Sequence, residues 1–194
     1  LRGMDANKGL WKLPKGKNWK DTTQWEKYGV KKGFQLENIL TISEDHKGRY
    51  WVGRTATGLA LYDPSRDTFY NWLIKDNPKM GGVMSSSVDF KRNLWLGTTN
   101  GLKYLKMPDQ LDGAFRMDSN LKTVGKQILG TSTVTVCKVY ADTLLVIGNS
   151  KGVFLLDLGM YYANPSKTFI RSFTENTGNF LGKVNQNSIW EDDD

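Results

Sequence analysis

At 194 residues the chain can build one domain with a sizeable core, or two small ones. Aromatic residues make up 12% of it and are spread along the whole length, which excludes a disordered chain. The net charge is +7, no apolar run approaches the ~20 residues of a membrane span, and a single cysteine, Cys137, excludes a disulfide within the chain.

The 20 glycines and only 5 prolines suit an all-β protein of short strands and tight turns. The charge excess is local. Residues 1–38 hold 9 Lys and Arg against 4 Asp and Glu, with Lys12, Lys15, Lys17, Lys20, Lys27, Lys31 and Lys32 forming the run. Such a run is either a patch for anionic partners or a set of solvated loop lysines that guard strand edges. The chain opens on Leu1 and stops on Glu191-Asp192-Asp193-Asp194. It reads as a piece of a longer protein, so the lack of a signal peptide says nothing about compartment.

A Gly-hydrophobic pair recurs at Gly9-Leu10, Gly58-Leu59, Gly101-Leu102 and Gly152-Val153, with separations of 49, 43 and 51 residues. A strand ending in Gly precedes each pair: LRG, YWVG, LWLG and LVIG. A period of roughly 40–50 residues with about four strands each is the pattern of β-propeller blades. The expected fold is therefore all-β, with about four blades of four antiparallel strands, a fragment of a larger propeller.

In chain order, a partial blade over 1–37 supplies LRG, GLWKL and TTQWEKY. The blade over 39–74 supplies ILTIS, RYWVG, LALY and TFYNWLI. The blade over 83–128 supplies VMSSSV, NLWLG, LKYLK and a fourth strand near Ala114–Met117 or Lys122–Ile128. The blade over 133–173 supplies TVTVCKVY, TLLVIG, VFLLDL and TFIRSF, and residues 184–190 supply a first strand alone. Lettering strands A to D outward from the axis, the chain begins in a B strand and ends after an A strand. The tail is thus able to complete the first blade, unless both ends are cuts through a larger ring.

Strand alternation puts the B–C loops and the long D–A loops on one face. That face carries Met4–Lys8, Arg54–Thr57, Thr98–Asn100, Asn149–Lys151, Lys75–Gly82 and Thr174–Lys183. Polar loops on a rigid scaffold are where binding residues concentrate. The candidate ligand-binding residues are accordingly Arg54, Thr55, Thr98, Asn100, Asn149 and Lys151, which share that face and offer hydrogen-bond donors to hydroxyl or acidic groups.

Residues 39–64 carry the run I-x-x-I-x-E-D-x-x-G-x-x-W-x-G-x-x-x-x-G-L-x-x-Y-D-P. This resembles the two-component regulator propeller repeat. The matching positions are Glu44, Asp45, Gly48, Trp51, Gly53, Gly58, Leu59, Tyr62, Asp63 and Pro64. The next copy keeps Asp89, Leu94, Trp95, Gly97, Thr98, Gly101, Leu102 and Tyr104. The copy after it keeps Gly148, Gly152 and Val153, with Val146 where Trp is expected, and Arg54 stands where the repeat usually has Thr. The resemblance implies the periplasmic sensor region of a hybrid two-component histidine kinase of Bacteroides type. It further implies an oligosaccharide ligand, acidic or sulfated in the basic setting of this chain, and signalling through a membrane helix to a cytoplasmic kinase. The partners expected are that ligand, neighbouring blades of the parent chain and a second copy in a homodimer, with no nucleic acid.

Catalysis finds little support. Trp51 and Trp95 recur in phase and read as packing aromatics, whereas Trp19 in its lysine-rich loop reads as the exposed one. Glu44 and Asp45 read as acceptors for the A–B turn rather than as a glycosidase pair. His46 is the only histidine, so a catalytic triad or multi-histidine metal site is excluded within the chain. No cofactor or metal is expected. A stand-alone binding scaffold and a carbohydrate-active propeller enzyme remain as alternatives.

Overall fold

The computed structural model describes residues 2–3, 9–35, 38–107, 115–167, 170–174 and 184. They form antiparallel sheets that follow one another along the chain, each a meander of neighbouring strands. This is the all-β, propeller-type architecture expected from the repeats. The chain divides into two compact units, residues 1–82 and 83–194.

In the first unit, β1 (Arg2–Gly3), β2 (Leu10–Lys12) and β3 (Glu26–Tyr28) make a three-stranded sheet. Asp21 caps a short 3-10 turn ahead of β3 by accepting from the Thr23 amide, so only the second half of TTQWEKY is strand. The second sheet holds β4 (Ile39–Glu44), β5 (Tyr50–Arg54), β6 (Gly58–Asp63) and β7 (Thr68–Leu73) in sequential order. Leu10, Tyr28 and Phe34 pack with Val52, Ala60 and Tyr62 to form the core between the two sheets.

A polar cluster closes one edge of that core. Asp67 accepts from Tyr62 Oη at 2.8 Å, Tyr28 Oη at 3.1 Å and Lys32 Nζ at 2.8 Å. The Lys32 ammonium and then the Tyr62 hydroxyl hold the Asp67 carboxyl down to about 2, below its ordinary 3.8. A carboxyl depressed in the folded state stabilises above its unfolded value, and that contribution fades as pH falls through the folded one. Acid unfolding of this unit is therefore expected to carry a component between about pH 4 and pH 2. Asp67→Asn, which tolerates the left-handed backbone here (φ 46°), is expected to remove that component in a pH series of thermal melts. The effect is small because the Lys32–Asp67 pair is exposed.

The second unit opens with β8 (Val83–Val88), β9 (Leu94–Thr98), β10 (Gly101–Leu105) and β11 (Leu121–Thr123). The fourth strand falls at the start of the second expected position, near Lys122–Ile128, and is shorter than expected. It is three residues long, set between the one-turn helices α1 (Met117–Asn120) and α2 (Lys126–Leu129), and Ala114 lies outside the described residues. The last sheet holds β12 (Val134–Tyr140), β13 (Leu144–Asn149), β14 (Gly152–Asp157) and β15 (Ile170–Thr174). Here VFLLDL runs past the strand end. Asp157 accepts from the Met160 amide and starts α3 (Leu158–Ala163), so Leu158 is helical.

Trp95, Leu102, Leu129, Val134, Leu145, Ile147, Phe154 and Tyr161 fill the core of this unit. Cys137 is buried among them, and its burial pushes the thiol upward. Of the tail strand expected over 184–190, only Val184 is described. Its amide donates to Asn149 O at 3.3 Å, and its carbonyl accepts from Thr135 Oγ1 at 2.7 Å.

Candidate functional site

The recurrent glycines have a backbone cause. Gly9, Gly58, Gly101 and Gly152 all take positive φ, at 82°, 106°, 86° and 140°. Each opens its strand where the chain turns back on the preceding one, and a side chain is disfavoured there. The glycines that end the B strands have a different cause, close approach. A Cβ on Gly97 would stand 2.7 Å from Val134 O, and one on Gly148 would stand 2.5 Å from Val184 Cγ1. Val134 and Val184 thus occupy equivalent places against successive sheets.

The residue after each of these glycines turns inward. Arg54, Thr98 and Asn149 are all fully buried. Thr98 Oγ1 donates to Gly101 O at 2.8 Å and accepts from the Asn100 amide at 3.1 Å. Asn149 Oδ1 accepts from the Lys151 amide at 2.7 Å. Arg54 Nη2 reaches Leu59 O at 3.2 Å, and its guanidinium lies 5.5 Å from the centre of the Phe34 ring. Arg54 therefore serves a carbonyl at the start of the next strand, as Thr98 does with a shorter side chain. These three residues hold their turns.

The other three candidates face outward to differing degrees. Thr55 is half-buried, while Asn100 and Lys151 are exposed. In the second unit the D–A loop at Gly130 comes between two B–C turns. A Cβ on Gly101 would lie 3.2 Å from Gly130 O, and a Cβ on Gly130 would lie 3.6 Å from Lys151 Nζ. Asn100 and Lys151 thus flank one loop on a common face. Their two outward side chains, with the Gly130 backbone, are the part of the candidate set that solvent or ligand reaches in this unit.

The paired carboxylates are divided between two tasks. Glu44 is exposed, whereas Asp45 is buried. Asp45 accepts from the amides of Lys47 and Arg49, from Arg49 Nε at 2.8 Å and from Trp51 Nε1 at 3.1 Å. Asp89 repeats the motif, accepting from the Asn93 amide at 2.9 Å and Trp95 Nε1 at 2.7 Å. It also receives the Tyr162 hydroxyl from α3. The in-phase tryptophans are fully buried. Trp51 stacks on Trp72 at 5.6 Å, and Trp95 meets Tyr104 and Tyr161 edge-on at 5.1 Å. The Asp–Trp pair is thus a structural lock that fixes the A–B turn to strand B.

The basic run of the first unit is largely engaged with aromatic rings. Lys12, Lys20, Lys27 and Lys32 lie over Tyr62, Trp19, Trp11 and Tyr28, respectively. Trp19 is 68% exposed, the most open aromatic among the described residues, and Lys20 lies over one face of its ring. This arrangement fits solvated lysines that shield rings.

One cavity was not anticipated. In the second unit a groove of about 380 Å³ runs between β11–α2 and the segment from α3 to β15. Lys122, Thr123, Lys126 and Gln127 form one side, and Tyr161, Pro165, Ser166 and Ile170 the other. Its walls come from two successive sheets and from α3, of which the expected strand VFLLDL covers only Leu158. The one local signal was Asp157 three residues ahead of Met160, a helix-start spacing.

No family model matches the chain, and no curated protein matches it. Solved structures do. The extracellular domain of a protein assigned as a hybrid two-component system of B. thetaiotaomicron is 15% identical, with a TM-score of 0.65 over 87% of this chain and 21% of that one. The extracellular domain of a B. thetaiotaomicron protein assigned as a one-component system is 17% identical, with a TM-score of 0.48 over 66% of this chain and 18% of that one. PorZ, a surface component of the type-IX secretion system of Porphyromonas gingivalis, is 14% identical, with a TM-score of 0.47 over 79% of this chain and 27% of that one. The first similarity shows a shared fold. This chain spans about a fifth of the length of that protein.

Proposed function

We propose that this chain is a segment of an extracytoplasmic sensing propeller, periplasmic in a two-component signalling protein, which binds oligosaccharide and signals to a cytoplasmic histidine kinase. The observation that carries the reading is the phased recurrence of Asp45 with Trp51, Gly53 and Gly58, and of Asp89 with Trp95, Gly97 and Gly101. These are the positions of the regulator-propeller repeat, and Asp45, Trp51, Gly58, Asp89, Trp95, Gly97 and Gly101 each have a structural task in their own sheet. The fold shared with a hybrid two-component extracellular domain agrees with it. No helix among the described residues is long and apolar enough to cross a membrane.

The chain acts by binding rather than chemistry in this reading. A ligand that favours one arrangement of the propeller shifts a pre-existing equilibrium, and the shift passes to the kinase. Asn100 and Lys151 are the residues of the candidate set placed to contact it. Calorimetric titration of the 194-residue chain with neutral and acidic oligosaccharides of several linkages is expected to give saturable binding for at least one class. Asn100→Ala with Lys151→Ala is expected to weaken that binding about tenfold, the loss of one or two polar contacts. Silence across the panel would remove the ligand-sensing reading. A coding sequence without a membrane helix and a kinase beyond this segment would remove the signalling half.

A further inference from the structure

The groove of the second unit has a charge balance that structure alone leaves unexplained. Lys103, on β10, is 96% buried by its 4% exposure. Its place is set by strand register, because Lys103 stands directly opposite Thr123. Its Nζ donates to Thr123 Oγ1 at 2.7 Å, and Thr123 lines the groove. An ammonium has three donors, so this neutral hydroxyl uses one of them. Lys122 and Lys126 also line the groove, and both are exposed; Lys122 stands opposite Tyr104, so its side chain leaves β11 on the other face from Thr123 and Lys103. Among the described residues no carboxylate is paired with any of the three.

A buried cation without an acid partner is costly, and two further lysines beside it raise the cost. Desolvation and the Lys126 charge both push the Lys103 ammonium downward, which agrees with that geometry. The opposite wall is of another kind. The Tyr161 ring, Pro165 and Ile170 are apolar, and Ser166 adds a hydroxyl. Gly125 keeps the floor open to close packing, since a Cβ there would stand 2.6 Å from Ile170 Cδ1. The space of about 380 Å³ falls within the roughly 300–1,000 Å³ of small-molecule sites.

We propose that this groove is an oxyanion site. It takes a small molecule carrying a sulfate or carboxylate group, with Lys122 and Lys126 meeting the anion and Lys103 adding its charge from the other face of the sheet. The Tyr161–Pro165–Ile170 wall takes the apolar face of the same molecule. The groove is lined by residues other than Asn100 and Lys151, and the proposal does not depend on the sensing role proposed above.

The test is an NMR titration of the 194-residue chain with sodium sulfate, at ionic strength held constant with sodium chloride. Saturable shifts are expected at residues 121–128 and at Tyr161, Ser166 and Ile170. Lys126→Gln, an exposed change that leaves the core intact, is expected to weaken binding about tenfold, and Lys122→Gln with Lys126→Gln to abolish it. Equal shifts with chloride alone, no saturation, or a double variant that binds as the parent does would each overturn the site. A sulfated disaccharide and its desulfated form then separate the sources of the anion. Tighter binding of the sulfated sugar than of inorganic sulfate assigns the site to a sugar ester, and equal binding assigns it to the free ion. Lys103→Met serves as a second variant. If the Lys103 charge contributes, the variant lowers sulfate affinity while raising thermal stability in salt-free buffer; unchanged affinity would remove Lys103 from the site.

Discussion

Asp45→Ala is expected to cost about 3–5 kcal/mol of folding stability, because it leaves a buried arginine without its acid. The Asp45 carboxylate is wholly enclosed and the Arg49 side chain nearly so. Its oxygens serve four donors at once, the amides of Lys47 and Arg49, Arg49 Nε and Trp51 Nε1. Alanine removes both acceptor oxygens and leaves all four donors without them. Each orphaned buried donor costs about 1–3 kcal/mol, so the guanidinium and the indole N–H alone account for most of the loss. Urea denaturation followed by tryptophan fluorescence reads it directly. Arg49→Met in the Asp45→Ala background is expected to recover part of the stability, since it removes the unpaired charge and keeps the aliphatic volume. A loss below about 1 kcal/mol for Asp45→Ala would show that the cluster is not a structural lock.

The same cluster explains why the second sheet was so legible in the sequence. Its signals are local and each has one physical cause. Asp45 and Trp51 lie six residues apart and meet across a turn, and Gly58 is needed for a positive φ. Where such a cause is missing, the repeat motif erodes, although hydrophobic patterning still marks the strands. The sheet of β12–β15 has Val146 in place of the tryptophan and a shorter A–B turn, with Tyr140 directly opposite Leu144. β11 is placed only loosely by the sequence for another reason. It is an outermost strand of three residues, paired on one side only, so neither alternation nor length marks it.

The candidate ligand residues show the limit of loop reasoning. Arg54, Thr98 and Asn149 are polar and sit at turns, which pointed outward. Strand alternation points inward instead, because each lies two residues after a core residue, Val52, Leu96 and Ile147. Following the period to the strand end separates those three from Asn100 and Lys151. The groove lysines had no such handle. Lys103 is buried by its neighbours in space, and only the packing of α3 against the third sheet brings the walls of the groove together.

Gly152→Ala is expected to destabilise the second unit by about 3–5 kcal/mol, through two costs that add. The backbone φ of 140° is one that side chains rarely adopt, and such strain is worth about 1–3 kcal/mol. The new Cβ would also stand 2.3 Å from Phe173 O. That oxygen belongs to β15, paired with β14 from Gly152 through Leu156. A carbonyl in a ladder moves only if the pairing opens, so relief comes at the expense of the outer strand, for about 1–3 kcal/mol more. Gly16→Ala provides the comparison. Its φ is 81°, but nothing lies within 4 Å of the new Cβ, so only the backbone term of about 1–2 kcal/mol remains. Urea denaturation of both variants separates the two terms. Hydrogen exchange locates the second one, since the amides of 170–174 are expected to lose protection in Gly152→Ala and to keep it in Gly16→Ala. Equal costs for the two variants would mean that β14 and β15 do not approach as closely at this position, and that the recurrent glycine answers to φ alone.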